Sequence, residues 1–149
     1  MMGELFGTFG IRRIANEEFT PEMATRLALA FGTFIKGETV VVGRDLRKHS
    51  KMIYDAVISG FLSCGCPVIE LDCTATPALQ WACRQWNHWG AMITASHNPP
   101  EWIGMKLMEK TGKGLDRANE GTVEDFYFRE AFQRVPWMSI PQNTKKRDV

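Results

Sequence analysis

Residues 20–43 read TPEMATRLALAFGTFIKGETVVVG, and the fold follows from this stretch. Thr20 offers a hydroxyl to cap a helix, Pro21 suits the first helical position, and Glu22 puts a negative charge in the first turn. Met23, Leu27, Ala30, Phe31 and Phe34 then recur at helical spacing, which predicts a helix from Pro21 to about Lys36. Gly37 ends it. Thr39-Val40-Val41-Val42-Gly43 is apolar without alternation and rich in β-branched residues, as expected of a strand covered on both faces.

The same alternation continues outward. Ile53, Ala56, Val57, Gly60, Phe61 and Cys64 mark a second helix from Ser50, with Gly65 placed to end it. Val68-Ile69-Glu70-Leu71 reads as a second strand. Thr76-Pro77 opens a third helix carrying Leu79, Ala82, Cys83 and Trp86. Ala91 to Ala95 is a third strand, stopped by Ser96-His97-Asn98-Pro99-Pro100. Gly104 to Glu109 gives a fourth strand, and residues 120 to 134 a last helix with Val123, Phe126, Tyr127, Ala131 and Phe132. Residues 4 to 13 are punctuated by glycine and predict a loop or short extended piece. The expected fold is α/β: a three-layer α/β/α domain over residues 1–135 with a mixed, mostly parallel sheet of about four strands. Residues 136–149 are expected to be a linker or tail. In such sheets ligands bind beyond the carboxyl ends of the strands, which singles out the loops Arg44–Ser50 and Ser96–Pro100.

Composition narrows the function. The chain has 149 residues, 44% of them hydrophobic, enough for one packed domain. Its 18 basic and 17 acidic side chains leave a net charge of +1, which gives no reason to expect nucleic acid or an anionic membrane as partner. No apolar run is long enough to span a bilayer, and Met1-Met2-Gly3-Glu4 lacks the basic start and apolar core of a signal peptide, so a cytoplasmic location is expected. Cys64, Cys66, Cys73 and Cys83 have no metal-knuckle spacing and read as reduced core thiols. Trp81, Trp86 and Trp89 read as core, with Trp102 beside the Ser96 loop and free to face a ligand or another domain.

Chemistry concentrates in Thr94-Ala95-Ser96-His97-Asn98-Pro99-Pro100. Ser96 follows a buried strand directly, and two prolines stiffen the turn after it. His97 can exchange a proton near neutral pH, and Asn98 can hydrogen-bond the loop to itself. Residue chemistry alone leaves open a plain strand-capping turn with a solvated histidine. The chain carries no nucleophile elbow, P-loop or dinucleotide-binding fingerprint.

This segment resembles the active-serine loop of the α-D-phosphohexomutases, the superfamily of phosphoglucomutase, phosphomannomutase and phosphoglucosamine mutase. Leu5-Phe6-Gly7-Thr8-Phe9-Gly10-Ile11-Arg12 is similar to the family's opening F-G-T-D-G-I-R-G. Val42-Gly43-Arg44-Asp45-Leu46-Arg47 is similar to its V-G-R-D-x-R stretch, and Gly104-Met105-Lys106 to the end of its N-G-x-K segment. Gly65-Cys66-Pro67-Val68 and Thr76-Pro77 fall where the family has similar residues. The likeness runs from about Leu5 into the 120s.

The resemblance implies that Ser96 carries a phosphoryl group, passes it to a hexose phosphate and regains one from the resulting bisphosphate. It implies Mg²⁺ as cofactor, bound to Ser96 through its phosphate, with the remaining ligands outside this chain. Arg12 and Lys106 would stabilise charge and handle protons, and His97 would shape the loop or act as acid or base. Arg44, Asp45 and Arg47 would brace the loop through ion pairs. The family's D-x-D-x-D metal motif, its G-E-x-S sugar-reading loop and its final phosphate-binding domain are absent from the sequence. The chain is therefore expected to be one domain of a larger enzyme, or a truncated paralogue, with the missing domains as partners and no turnover alone. Phe9 stands where the family has Asp, Arg13 where it has Gly, and Ile103 where it has Asn. These departures favour a second reading, a non-catalytic binding or scaffold module that kept the fold. The intact serine loop and Lys106 favour the first.

Overall fold

The computed structural model describes residues 5–7, 10–142 and 145–149. The elements in chain order are β1 (Ile11–Ile14), α1 (Pro21–Phe34), β2 (Val40–Arg44), α2 (Ser50–Ser63), β3 (Val68–Cys73), α3 (Thr76–Trp86), β4 (Trp89–Ile93), β5 (Trp102–Met108), α4 (Arg117–Arg129) and β6 (Lys145–Lys146). They build the expected α/β/α domain. The sheet order is β1-β5-β4-β2-β3-β6. β4, β2, β3 and β6 run parallel, while β5 is antiparallel to both β4 and β1.

The sheet is wider than the sequence suggests, with five strands and the two-residue β6. The additional strand is β1, which overlaps the end of the segment expected to be a loop or short extended piece. It pairs with β5 in the register Ile11↔Met105 and Arg12↔Gly104. Past Pro136, the chain makes a short 3-10 turn at Trp137–Ser139 and returns to the sheet edge, where Lys145 and Lys146 pair with Ile69 and Glu70.

Each strand's alternation assigns its residues to two cores. Val40, Val42, Ala91, Ile93, Ile103, Met105 and Leu107 pack under α1, α2 and α4. Val41, Ile69, Leu71, Met92 and Met108 pack against Leu79, Ala82 and Cys83 of α3. This is why the β2 run is continuously apolar: neighbouring residues feed opposite layers. Thr20 caps α1 as expected, accepting from the Met23 N–H at 3.2 Å.

Two sets of expected core residues are corrected. Trp81 is 43% exposed, whereas Trp86 and Trp89, partly buried, pack against the smaller and larger cores as expected. On α3 the buried face is set by Leu79, Ala82 and Cys83, and Trp81 points away from it. All four cysteines are free, but Cys73 is exposed, since it ends β3 at the sheet's carboxyl edge. Burial pushes the Cys66 and Cys83 thiols up to about 12.

Among the described residues no helix is long and apolar enough to cross a membrane.

Candidate active site

The parallel strands β2, β3 and β4 end on one edge of the sheet, and their loops gather there. β2 leads to α2 on one face and β3 to α3 on the other, so the edge between them is the sheet's topological switch point. An open crevice of about 390 Å³ lies there, lined by Arg44, Asp45, Leu46, Cys73, Thr74 and Ala75. One loop away, β4 ends at Ile93 and the chain turns through Ser96.

Ser96 is exposed and has a φ of 57°, in the left-handed region that a non-glycine residue seldom occupies. That conformation costs roughly 1–2 kcal/mol and must be held by its surroundings. The Ser96 N–H donates to Thr94 Oγ1 at 2.9 Å, and the Asn98 N–H donates to the Ala95 carbonyl at 3.1 Å. Residues Ala95 to Asn98 thus form a tight turn with positive φ at its first central position. Ser96 Oγ lies 3.3 Å from His97 Nδ1, which accepts the serine proton only in the tautomer that carries its hydrogen on Nε2.

Arg47 clamps this turn from the neighbouring loop. Its Nη2 donates to the carbonyls of Ser96 (2.9 Å) and Asn98 (2.7 Å). Its Nη1 donates to those of Pro99 (2.6 Å) and Trp102 (3.3 Å). His49 Nε2 also meets the Trp102 carbonyl, at 3.0 Å. The Arg47 Nε lies 3.4 Å from Asp45 Oδ2. Burial disfavours the Asp45 carboxylate, yet hydrogen bonds from the Ser50 hydroxyl, the Arg47 N–H and the Thr94 hydroxyl, with the charge of Arg47, hold its pKa below the usual value.

Arg12 reaches the same loop from β1. Its Nη1 donates to Asn98 Oδ1 at 3.0 Å. The path is opened by Gly104, directly opposite in β5: a Cβ there would lie 2.0 Å from the Ile11 carbonyl oxygen and 2.9 Å from Arg12 Cγ. Lys106 is on the same face of β5, two residues along. Its Cε runs past Gly114, where an added Cβ would sit 3.4 Å away. Gly10, with a φ of 88°, lies against the Lys106 backbone. Among the described residues no hydrogen bond links Lys106 to Ser96 or His97. The structure thus groups Ser96, His97 and, through Asn98, Arg12; Lys106 shares its face of β5 with Gly104, the residue opposite Arg12.

Of the three bracing residues expected, Asp45 and Arg47 act on the serine loop. Arg44 does not: its Nε pairs with Asp72 at 2.7 Å and its guanidinium lies over the Tyr54 ring, tying β2 to β3. Thr94 was not singled out by sequence. Its signal is the Thr-x-Ser spacing, which allows a threonine hydroxyl to accept from the N–H two residues on. Phe9 lies outside the described residues. Arg13 shares the core face of β1 with Ile11, opposite to Arg12, and donates to the Arg12 carbonyl at 2.9 Å. Ile103 is fully buried in the larger core.

The described residues bring no group of three His, Cys, Asp or Glu side chains together as a metal site. Asp45, which pairs with the Arg47 that holds the serine loop, is committed to Ser50 and Arg47. These residues do not by themselves make a Mg²⁺ centre.

The α/β/α domain thus displays an exposed serine, in a turn held by Arg47, at the carboxyl edge of its sheet. The chain belongs to the phosphoglucomutase/phosphomannomutase family: residues 3–134 match the model of its alpha/beta/alpha domain I. It is 51% identical to a phosphoglucomutase/phosphomannomutase of Thermococcus kodakarensis, an alignment covering 99% of this chain and 34% of that protein. It is 41% identical to a phosphoglucosamine/phosphogalactosamine mutase of Sulfurisphaera tokodaii, over 99% of this chain and 33% of that one. A crystal structure from Thermus thermophilus, described as a phosphomannomutase, superposes with a TM-score of 0.83 at 30% identity, covering 99% of this chain and 34% of that one. The chain spans about a third of the length of the curated relatives it matches.

Proposed function

We propose that this chain is the phosphoserine-bearing domain of a phosphohexomutase and that Ser96 is the residue phosphorylated. The observation that carries this reading is the exposed Ser96 hydroxyl, fixed in a left-handed turn that Arg47 ties down through four carbonyls. A nucleophile that must both take and return a phosphoryl group gains from being held in one place. In the loading step Ser96 Oγ attacks phosphorus of a hexose bisphosphate. The Oγ–P bond forms as the sugar O–P bond breaks, and the serine proton passes by way of His97 Nδ1 to the leaving sugar oxygen. Arg12 and Lys106 supply positive charge on the same face. Return of the phosphoryl group to a hexose monophosphate reverses these bonds.

Mg²⁺ would neutralise charge on the transferring group, and this chain's share of its coordination would be an oxygen of phosphorylated Ser96. The other ligands, and the groups that grip the far end of the sugar, would come from the part of a mutase that this third does not cover. The partners are then the hexose phosphate and those remaining domains. The free, buried thiols of Cys64, Cys66 and Cys83 suit a reducing cytoplasm. Incubation with glucose 1,6-bisphosphate followed by peptide mass spectrometry should place one phosphate on the Thr94–Pro100 segment and none in Ser96→Ala. A stable adduct elsewhere, with Ser96 untouched, would falsify the assignment.

A further inference from the structure

α3 turns Leu79, Ala82 and Cys83 to the smaller core, and its opposite face carries Gln80, Trp81 and Arg84. Across from that face stands the hairpin that follows β5. Its Glu109 N–H donates to the Lys113 carbonyl at 2.8 Å, the Gly112 N–H to the Glu109 carbonyl at 2.9 Å, and the Leu115 N–H to the Leu107 carbonyl at 2.9 Å. Gly112, with a φ of 88°, seats the hairpin on the helix. An added Cβ there would lie 2.7 Å from the Gln80 carbonyl oxygen and 3.6 Å from Arg84 Cβ. Between helix and hairpin runs a groove of about 410 Å³, whose lining includes Gln80, Trp81, Arg84, Thr111 and Lys113. That volume is at the small end of small-molecule sites.

The chemistry of the lining is specific. Trp81 is 43% exposed, yet its ring is braced edge-on against Trp86, with centroids 6.4 Å apart and planes at 77°. Arg147 lies over Trp86 at 3.8 Å, while among the described residues no cation covers Trp81. Arg84 and Lys113 have no carboxylate partner among the described residues, and no acidic side chain lines the groove. Glu109, the acid on the hairpin, meets the Thr111 hydroxyl at 3.5 Å. A fixed aromatic ring and two uncompensated cations thus share one concave surface.

We propose that this groove binds a mononucleotide, with its base stacked on Trp81 and its phosphate between Arg84 and Lys113. Stacking needs only a flat ring held in place, and an indole accepts any base. A guanidinium fork and an ammonium together match a phosphate monoester, whose charge is roughly −1.5 to −2 at neutral pH. The Gln80 amide can both donate to and accept from a base edge. A sugar ring is a poorer match, because its hydroxyls donate and the groove offers no carboxylate to receive them. The site uses no residue of the Ser96 loop or of its Arg47 clamp, so it does not rest on the phosphoserine reading.

The test titrates the 149-residue chain with AMP, glucose 6-phosphate and inorganic phosphate, followed by calorimetry and by NMR of the indole and backbone N–H groups. AMP should bind with a Kd of about 1 mM or tighter. The other two should bind about tenfold more weakly, the share of one stacked base. The Trp81 indole and the Gly112 and Lys113 amides should shift with AMP. Trp81→Leu should weaken AMP about tenfold and leave inorganic phosphate as in the wild type, whereas Arg84→Gln should weaken both. Ser96→Ala should bind AMP as the wild type does. If Trp81→Leu does not fold, Arg84→Gln and the wild-type shifts carry the test. A wild type that gives no shift with AMP overturns the proposal, as does AMP binding that survives Arg84→Gln unchanged or is lost in Ser96→Ala. Glucose 6-phosphate binding as tightly as AMP would overturn the assignment of a base to Trp81.

Discussion

At Arg47 one guanidinium serves three carbonyls of the Ser96 turn, which has no sheet or helix of its own to satisfy them, and that of Trp102 at the start of β5. Carbonyls pointing inward at a tight turn need donors, and a planar fork meets several at fixed angles where a lysine ammonium offers one point charge. The side chain is 19% exposed, so water competes poorly for these bonds. Replacement by alanine should destabilise the domain by about 2 kcal/mol, the range for hydrogen bonds to a charged donor. Arg47→Lys should recover less than half of that. Urea unfolding measures it, and a midpoint for Arg47→Ala equal to that of the wild type would refute the clamp. The sequence shows the arginine but not its targets. Of the neighbouring pair, Arg44 is equally basic and one residue from Asp45, yet it turns to Asp72, which β3 brings alongside only in the folded sheet. Ser96 and His97 were legible because they are adjacent in the chain. Arg12 and Asn98 meet across a sheet register that no local pattern encodes.

At the level of elements, the helices and the inner strands are legible because their burial is periodic: β2 and β4 are covered on both faces, and α1 carries its cap and proline in plain view. β1 is not, because Ile-Arg-Arg-Ile has neither alternation nor a continuous apolar run, and its partner β5 lies far along the chain. Its attachment depends on close approach at Gly104 and on the segment before it. There Glu124, buried in α4, accepts from the N–H groups of Leu5 and Phe6 at 2.7 and 3.0 Å. Gly104→Ala puts a methyl 2.0 Å from the Ile11 carbonyl oxygen, a backbone atom that cannot swing aside. We expect a loss of about 3 kcal/mol, the upper range for overpacking. Because β1 is the sheet's edge strand, it should detach first and take Arg12 with it. Limited proteolysis would then cut near residues 14–19 in Gly104→Ala well before the wild type is cut. Equal resistance of the two proteins would show that β1 is held by other means.

At the scale of the whole molecule, the proposed role of Ser96 needs a second set of groups to hold the sugar. Ser96, His97 and Arg12 lie on an open edge, and the crevice at the switch point is lined by Leu46, Cys73, Thr74 and Ala75 beside Arg44 and Asp45. A hexose phosphate reacting at Ser96 must have its other end fixed at the same time. Holding a reactant in register can supply roughly 7–11 kcal/mol of a barrier, and cations exposed to solvent are screened within about 8–10 Å at ordinary ionic strength. We therefore predict that the 149-residue chain can exchange one phosphoryl group at Ser96 without turning over hexose phosphates. The Thermococcus kodakarensis relative is 51% identical where it aligns, and the chain covers 34% of it. The remaining two-thirds of that protein, purified separately and added with Mg²⁺, glucose 1-phosphate and glucose 1,6-bisphosphate, should produce glucose 6-phosphate in a coupled dehydrogenase assay. The rate should saturate with the added piece and vanish with Ser96→Ala in this chain. Steady product from the chain alone would mean that its open edge binds the sugar after all. No product from the mixture, with Ser96 still accepting phosphate, would mean that the two pieces do not assemble across this surface.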